Sequence, residues 1–327
     1  MIPNKLVTIE EASKLIEEGH ALMFAGDEAS LKALPKGQWI GGTIPYFMTK
    51  EGGVIDQSRL FMQALPETVE AHSLRLYDSE QIRAVYEDGP QEGISFIIIP
   101  ASTDAHLGFA SQAHTYPGFL MRPLVGWISG VLLDDLGTVK PGVMLGTTQE
   151  FSTDKAVVLH GKTSGELAAL VDIVNIFEQG DGDTITFDET GFSFTYANVN
   201  GERVKLADYM QAKGLNTQLP LVADYYGAMV NVSFQGVNED TKEVAFYAPL
   251  FPGVEYKLAA PITDYAAAFD SAVPDDAGKA LFSCNCILNF LYAELEGKQT
   301  KDAVGPITFG EIAYQLLNQT LVYVDLR

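Results

Sequence analysis

Hydrophobic and polar positions in the first fifty residues alternate between helical periods and short apolar runs. Thr8, followed three residues later by Glu11, forms a capping box, and apolar residues then recur at helical spacing up to a glycine. An apolar run at residues 20–25, a short helical pattern at 30–34 and a second apolar run at 39–47 follow. Short apolar runs separated by helices predict an α/β arrangement with a buried sheet.

The middle of the chain contains its clearest strand and its longest aperiodic segment. Residues 94–99 are dense in β-branched side chains, which predicts a buried strand, and residues 78–88 carry a helical pattern. Residues 100–122 show no clear period, and such a segment in a compact protein is often a binding loop or lid. His106 and His114 lie in this segment and are therefore candidates for contacting a ligand.

The pattern changes beyond about residue 165, where short strands broken by Gly, Asn and Asp are typical of antiparallel hairpins. Strands are predicted from residue 123 onward at 123–130, 155–159, 171–177, 184–187, 192–196, 229–234, 244–247, 280–284, 308–312 and 319–325. Helical patterns occupy 206–213, 262–273 and the stretch that ends near residue 296.

We therefore predict an α/β protein with mixed α+β layers and two modules. The first module, residues 1–165, has a mixed or parallel sheet with flanking helices, and the second, residues 166–327, consists mainly of antiparallel hairpins plus helices. The last segment, about residues 280–327, is predicted to pack back on the first module.

An apolar run, a helix and a Gly-x-Ile-x-Tyr motif occur twice in the chain. The first motif consists of Gly42, Ile44 and Tyr46, and the second lies at residues 310–314. The match is short, so chance is at least as good an explanation. If the copies are related, they predict two halves that face each other across a cleft.

The charge balance excludes two classes of partner. The 327 residues include 43 Asp and Glu and 21 Lys and Arg, which gives a formal net charge of −22. Binding to duplex nucleic acid or to an anionic membrane needs a basic surface, which this composition does not provide.

The N-terminus lacks the pattern of a signal peptide, and the longest apolar run, residues 96–100, is too short to span a bilayer. We therefore expect a cytoplasmic protein.

The sequence contains none of the common phosphate-binding or nucleophile-elbow motifs, and we expect neither a reaction nor a cofactor. The five histidines show no metal-ligand spacing, although His160, at a strand end, is the candidate ligand for a haem or a metal. Cys284 and Cys286 are interpreted as buried free thiols, with one thiol at a pocket mouth as the alternative. In an enzyme, Cys284 or Glu311 would be the obvious reactive group, but the sequence assigns no base to either.

The C-terminal segments resemble the FIST sensory domain. That family has an apolar strand ending in Ser-Cys-Asn-Gly-Arg, then Gly-x-x-x-x-Gly-Glu-Ile, then Asn-Gln-Thr before an apolar strand. Residues 283–285, 305–312 and 318–320 of this chain match in order and spacing. More loosely, its first module is similar to residues 21–25, 39–44 and 122–130.

The resemblance implies a stand-alone, non-enzymatic sensory protein for signal transduction. It implies a small ligand, an amino acid or related metabolite, in a cleft between the two modules, and a signalling protein as partner. The expected ligand-binding residues combine motif positions with neighbouring aromatic residues and the loop histidines: Trp39, Gly41, Gly42, Thr43, Tyr46, His106, His114, Cys284, Asn285, Gly310, Glu311 and Asn318. A haem-based nitric oxide sensor that uses His160 is one alternative. An interaction or assembly subunit with a degenerate pocket, forming a homo-oligomer, is another.

The chain departs from the family pattern after Asn285. Relatives carry Gly-Arg there, whereas this chain has Cys286 and Ile287, so the arginine that could pair with a ligand carboxylate is absent. We therefore expect an apolar, aromatic pocket near Trp39, Tyr46 and Trp127, in which any anion would rely on glycine-flanked backbone N–H groups.

Overall fold

The computed structural model describes residues 2–165, 167–225, 227–275, 277–301 and 303–327. The α-helices in these ranges are α1 (Ile9–Glu17), α2 (Glu28–Lys32), α3 (Asp104–Gln112), α4 (Leu206–Lys213), α5 (Tyr265–Ala272) and α6 (Ile287–Tyr292). Short 3-10 helices occur at Gln81–Ala84, Ala113–Thr115, Leu133–Asp135 and Ala277–Lys279. None of the helices in the described ranges has the length and apolar character needed to cross a membrane.

The strands of the first half are β1 (Lys5–Val7), β2 (Leu22–Gly26), β3 (Trp39–Thr43), β4 (Tyr46–Thr49), β5 (Gly52–Ile55), β6 (Leu60–Ala64), β7 (Val69–Tyr77), β8 (Gly93–Pro100), β9 (Leu124–Ser129), β10 (Val143–Leu145), β11 (Glu150–Ser152) and β12 (Ala156–Thr163). Those of the second half are β13 (Ala169–Val174), β14 (Ile185–Thr186), β15 (Gly191–Phe194), β16 (Tyr196–Val199), β17 (Glu202–Lys205), β18 (Leu221–Tyr225), β19 (Ala228–Val232), β20 (Phe234–Val237), β21 (Val244–Leu250), β22 (Tyr256–Leu258), β23 (Phe282–Cys286), β24 (Gly305–Thr308), β25 (Glu311–Ala313), β26 (Gln315–Leu317) and β27 (Leu321–Leu326).

Three six-stranded sheets form the centre of the molecule, and each contains one parallel pair of strands among antiparallel ones. Their strand orders are β1-β6-β2-β3-β10-β11, β26-β25-β9-β8-β12-β7 and β13-β27-β23-β24-β4-β5. The parallel pairs are β2 with β3, β8 with β9, and β23 with β24. Parallel neighbours need a crossover, and α2, α3 and α6 lie within these three crossovers. The same β-α-β unit therefore occurs three times.

Two further sheets carry the hairpins of the second half. Their strand orders are β17-β16-β14-β22-β18-β19 and β15-β21-β20, and every pairing in them is antiparallel. The mixed sheets in the first half and the antiparallel hairpins in the second confirm the predicted fold class.

Strands from both halves share two of the three central sheets. β24 pairs with β4, with Gly305 opposite Met48, and β25 pairs with β9, with Glu311 opposite Trp127. The main hydrophobic core lies among these sheets and includes Phe47, Phe96, Trp127, Phe282 and Val322. The last segment thus contacts the strands of the first half directly.

The first helix shows how local sequence chemistry sets an element. The Thr8 hydroxyl oxygen accepts from the Glu11 N–H (3.2 Å), and the Glu11 carboxylate accepts from the Thr8 N–H (2.8 Å). This capping box supplies acceptors for two backbone N–H groups that the start of a helix leaves without a hydrogen-bond partner. Ala12 and Ile16 then bury one face of α1 against the first sheet, as the hydrophobic spacing predicted.

Two segments of the first half differ from their sequence-based predictions. α3 lies inside the segment interpreted as a loop; it packs against β8, β21 and β26, so its apolar residues do not form a single stripe. The helix predicted at 78–88 is reduced to the short 3-10 helix Gln81–Ala84. There, the Asp78 carboxylate accepts hydrogen bonds from the backbone N–H groups of Glu80 and Gln81. Such a turn, closed by a side chain, competes with helix formation.

Candidate functional site

A cavity of about 560 Å³ lies at the carboxyl ends of two of the parallel strand pairs. Residues just beyond β8, β9, β23 and β24 line it, including Ser102, Val131, Ile287 and Phe309. Ligands of α/β proteins commonly bind at the carboxyl ends of parallel strands, in the crevices that diverging connections leave. The volume is in the range typical of small-molecule sites.

The walls of the cavity are largely apolar. Phe192 and Phe246, from the antiparallel hairpins, lie among the lining residues together with Val131 and Phe309 from the central sheets. Toward the outside, the side chains of Leu107, Leu136 and Val139 line the cavity and are exposed. Both halves of the chain therefore contribute to one apolar-walled site.

His106 lines this cavity and carries a buried hydrogen-bond donor. The backbone N–H of Ser102 donates to His106 Nδ1 (3.1 Å), so Nδ1 carries no proton. Burial lowers the pKa of His106 to about 4, which keeps the ring neutral at physiological pH. The proton of the neutral ring is therefore on Nε2, and that buried nitrogen has no hydrogen-bond partner.

Asn318 contributes a second donor of the same kind. Its Oδ1 accepts from the backbone N–H of Ser233 (3.0 Å) and from the Ser233 hydroxyl (2.8 Å), which fixes the orientation of the amide. Nδ2 is then the atom that is left, and it is buried without a partner. Asn318 is only 2% exposed and lines the same cavity as His106.

Ser102 holds His106 from a strained position. Its φ of 60° lies in the left-handed region, which a non-glycine residue adopts at an energetic cost. It occupies the turn between β8 and α3, and Thr103 next to it caps α3 by accepting the His106 N–H (3.2 Å). Ser102 and Thr103 both line the cavity, so the start of α3 borders it.

A buried acid lies behind the cavity wall. Glu311 is fully buried; its Oε2 accepts from the Thr320 N–H (3.3 Å) and hydroxyl (2.8 Å), and its Oε1 lies 3.4 Å from the Thr308 hydroxyl. Burial raises the pKa of Glu311 to about 8, so the carboxyl group is largely protonated at neutral pH. It also hydrogen bonds with the thiol of Cys286, which does line the cavity.

Both cysteines are thiols rather than thiolates. Burial, followed by the nearby Glu311, raises the pKa of Cys284 and of Cys286 well above the ordinary value. The thiolate is the nucleophilic form of cysteine, so neither side chain is activated for covalent chemistry.

Comparison with known sequences then gives the family. The family model of DUF6976, a family of unknown function, matches residues 7–327. This chain belongs to DUF6976. No curated protein matches it. The resemblance to FIST domains stays a prediction for this DUF6976 protein, because the family match does not test it.

Only two of the twelve residues predicted to bind ligand, His106 and Asn318, line the cavity of the DUF6976 chain. The glycines of β3 serve packing instead: a Cβ on Gly42 would lie 2.5 Å from the Ile98 methyl, and one on Gly41 would lie 2.8 Å from a methyl of Leu31. They allow β3 to approach the neighbouring sheet and helix α2.

The other predicted residues of the first half are also held by the fold. Trp39 is fully buried and donates from Nε1 to the Pro35 carbonyl (2.8 Å). The Thr43 hydroxyl donates to the Gly130 carbonyl (2.8 Å). The Tyr46 hydroxyl accepts from the N–H of the cavity residue Leu133 (2.9 Å), so Tyr46 supports the cavity from behind. His114 is exposed, with its ring against that of Phe251.

Three residues of the C-terminal motifs, Cys284, Asn285 and Gly310, connect neighbouring elements and are not among the lining residues. The Cys284 thiol donates to the Gly126 carbonyl (3.3 Å), and Asn285 Oδ1 accepts from Asn289 (2.9 Å). The Gly310 carbonyl accepts from the Ile128 N–H (2.8 Å). These contacts join β23 and the start of β25 to β9 and α6.

His160 belongs to a separate hydrogen-bond chain. Its side chain is fully buried, Nδ1 lies 2.7 Å from the Ser95 hydroxyl, and Nε2 lies 2.8 Å from the Tyr77 hydroxyl, which donates to Asp88 (2.9 Å). Both ring nitrogens are engaged, so coordination of a haem iron at His160 would break this chain. Among the described residues, no group of three or more His, Cys, Asp or Glu is placed to hold a metal ion.

The sequence reasoning missed most of the cavity lining. Ser102 and Thr103 lie in the aperiodic segment that was recognised, but the positive φ at Ser102 has no signature in the sequence. Lys140, Gln235 and Tyr247 come from loops and strands far apart in the chain and carried no motif. Only the three-dimensional fold brings them together.

Proposed function

We propose that this protein binds a small molecule in the 560 Å³ cavity and acts as a non-enzymatic sensory protein. The observation that carries the proposal is the pair of buried, unpaired donors, His106 Nε2–H and Asn318 Nδ2–H, on one apolar-walled cavity. A buried donor without an acceptor destabilises a fold by about 1–3 kcal/mol, and a bound ligand that supplies acceptors removes this penalty.

Binding is favoured over catalysis by the state of the reactive groups. The Cys286 thiol is kept protonated by burial, and Nδ1 of His106 is occupied by the Ser102 N–H. Neither arrangement supplies a nucleophile with an adjacent free base, which covalent catalysis requires.

The sensory part of the proposal rests on the resemblance to FIST domains. It suggests an amino acid or related metabolite as ligand and a separate signalling protein that reads the bound state. The two free, buried cysteines support a reducing location such as the cytoplasm.

A metabolite panel tested by thermal shift, together with native mass spectrometry of the purified protein, tests the binding proposal. Gln235 is exposed and lines the cavity, so Gln235→Trp should obstruct binding with little risk to the fold. Val237→Trp, on the same strand but outside the lining, is the matched control. We expect hits that stabilise the wild type and the control but not Gln235→Trp. Failure of every compound, with no retained mass, would refute the proposal.

A further inference from the structure

The sign of the charge at the cavity is opposite to that of the whole chain. Acidic residues outnumber basic ones by 43 to 21 in the sequence. Yet among the described residues that line the cavity, Lys140 is the only Lys, Arg, Asp or Glu. Asp104, the first residue of α3, is exposed and is not among the lining residues. The lining itself therefore carries one positive and no negative side chain, and the nearby Asp134 and Asp135 lie between the lining residues Leu133 and Leu136 in the chain.

Two residues of the lining, His106 and Asn318, carry buried donors without a partner. Ser102 fixes His106 with Nε2–H free, and Ser233 fixes Asn318 with Nδ2–H free. His106 is 8% exposed and Asn318 2%, so bulk water does not solvate either group. The start of the nine-residue helix α3 adds the positive end of a helix dipole at Ser102 and Thr103. Each of these features favours a hydrogen-bond acceptor that carries negative charge.

We propose that the ligand is a small carboxylate with an apolar body and no ammonium group; this inference rests on the binding function proposed above. The carboxylate accepts from His106 Nε2–H and Asn318 Nδ2–H, and Lys140 supplies the counter-charge at the outer side of the cavity. The apolar body lies against the aromatic residues Phe192, Phe246 and Phe309.

This class excludes the amino acids that the FIST resemblance suggests and keeps related metabolites that lack an ammonium group. An α-ammonium group needs a carboxylate or several carbonyl oxygens to replace its water, and the described lining contains no Asp or Glu. The surplus of acids on the protein does not exclude an anion, because the acids are absent from the cavity itself. Lys140 takes the place of the missing family arginine as a charge, although it comes from a different part of the chain.

Four compounds of similar shape test the inference by isothermal titration calorimetry at pH 7: 3-phenylpropanoate, 3-phenylpropanamide, 3-phenylpropylamine and L-phenylalanine. We expect 3-phenylpropanoate to bind at least about tenfold more tightly than each of the other three, since only it offers charge-assisted acceptors without a cation. Lys140→Met should weaken binding of the carboxylate roughly threefold, which is the effect expected when a partly exposed charge is lost. The affinity for the amide should not change. Lys36→Met, an exposed lysine outside the lining, is the control.

A second variant reverses the preference at a buried position. Asn318→Asp keeps the oxygen that accepts from Ser233 but replaces the free donor with a negative acceptor. It should abolish binding of 3-phenylpropanoate and increase the affinity for 3-phenylpropylamine. Circular dichroism confirms that the variant is folded, and Lys140→Met provides the test if it is not.

The outcomes separate this inference from the binding function. If the amide, the amine or phenylalanine binds as tightly as the carboxylate, the inference is wrong and the binding function stands. The same holds if none of the four binds while another compound binds and is blocked by Gln235→Trp. If no compound of either set binds, the binding function itself fails.

Discussion

The buried Glu311 keeps its proton in the folded chain at neutral pH. The free energy of unfolding of this protein should therefore fall as pH rises from neutral to mildly alkaline. The group is fully buried, and burial raises its pKa to about 8 from an ordinary 4.5. An acid with a higher pKa in the folded than in the unfolded chain holds an extra proton when folded, at every pH between the two values. Folding stability therefore decreases as pH rises through this interval.

The magnitude follows from the two pKa values. Each pH unit within the interval removes about 1.4 kcal/mol at most, so the loss between pH 6.5 and 8 is about 1.5–2 kcal/mol. Two buried histidines act in the opposite direction near the lower end of this range, by the same amount in wild type and in a Glu311 variant. Burial lowers the pKa of His106 and His160 to about 4, so their contribution to stability is present above pH 6.5 and is lost only as pH falls from there toward 4.

Glu311→Gln provides the comparison, because a glutamine amide resembles the protonated acid toward Thr308 and Thr320 but does not titrate. Urea unfolding of wild type and variant at pH 6.5, 7.25 and 8 gives the free energies. As pH rises from 6.5 to 8, we expect the free energy of unfolding of the variant to increase relative to that of the wild type by about 1.5–2 kcal/mol. Glu67→Gln, at an exposed position, should show no such change. Parallel pH profiles for Glu311→Gln and wild type would refute the reasoning.

Four further variants test the packing and the support of the cavity. Gly42→Ala should lower the free energy of unfolding by about 1–3 kcal/mol, since the new methyl would lie 2.5 Å from an isoleucine methyl of the neighbouring sheet. Gly108 lies in α3 with open space around it, so Gly108→Ala should instead raise the free energy of unfolding by about 0.5–1 kcal/mol. If urea unfolding shows that both glycine variants change this free energy in the same direction, this account is contradicted. Ser233→Ala removes the hydroxyl, one of the two hydrogen bonds that orient the amide of Asn318, and keeps the backbone N–H; it should weaken ligand binding in calorimetry and lower stability by about 1–2 kcal/mol, and unchanged affinity would count against a positioning role. Tyr77→Phe should destabilise by about 1–3 kcal/mol with ligand affinity unaltered, because its hydroxyl belongs to the separate His160 chain.

The fold was predictable where local chemistry sets an element. The capping box at Thr8 gave α1, and the β-branched run gave β8, because both signals act within a few residues. Strand β7, at a sheet edge, was missed since its mixed polar and apolar residues match a half-exposed strand as well as a loop. The first Gly-x-Ile-x-Tyr motif begins in the second strand of one β-α-β unit, and the second motif follows another unit. The third unit, built on α3, has no such motif, and its helix contacts strands on several sides.

The candidate site was less predictable, for a different reason. His106 and Asn318 were both named from the sequence, but one as a loop histidine and the other as part of a family motif. What makes each of them a donor is a second group that uses up its acceptor. For Asn318 this group is Ser233, which lies 85 residues away in the chain. No local pattern records such a pairing.

Under the proposed binding function, these second groups also set the selectivity of the cavity. If the Asn318 amide rotated to present its oxygen, Nδ2 would meet the Ser233 N–H, and the hydrogen bond from that N–H would be lost. If the His106 proton moved to Nδ1, it would meet the Ser102 N–H. Either change leaves donors facing each other in a buried site, at a cost of about 1–3 kcal/mol per unpaired group. The fold therefore holds both side chains as donors before any ligand arrives, and a ligand with donors at the same point cannot make them switch. Under the proposed binding function, discrimination against amines and in favour of acceptors follows from the folded chain itself.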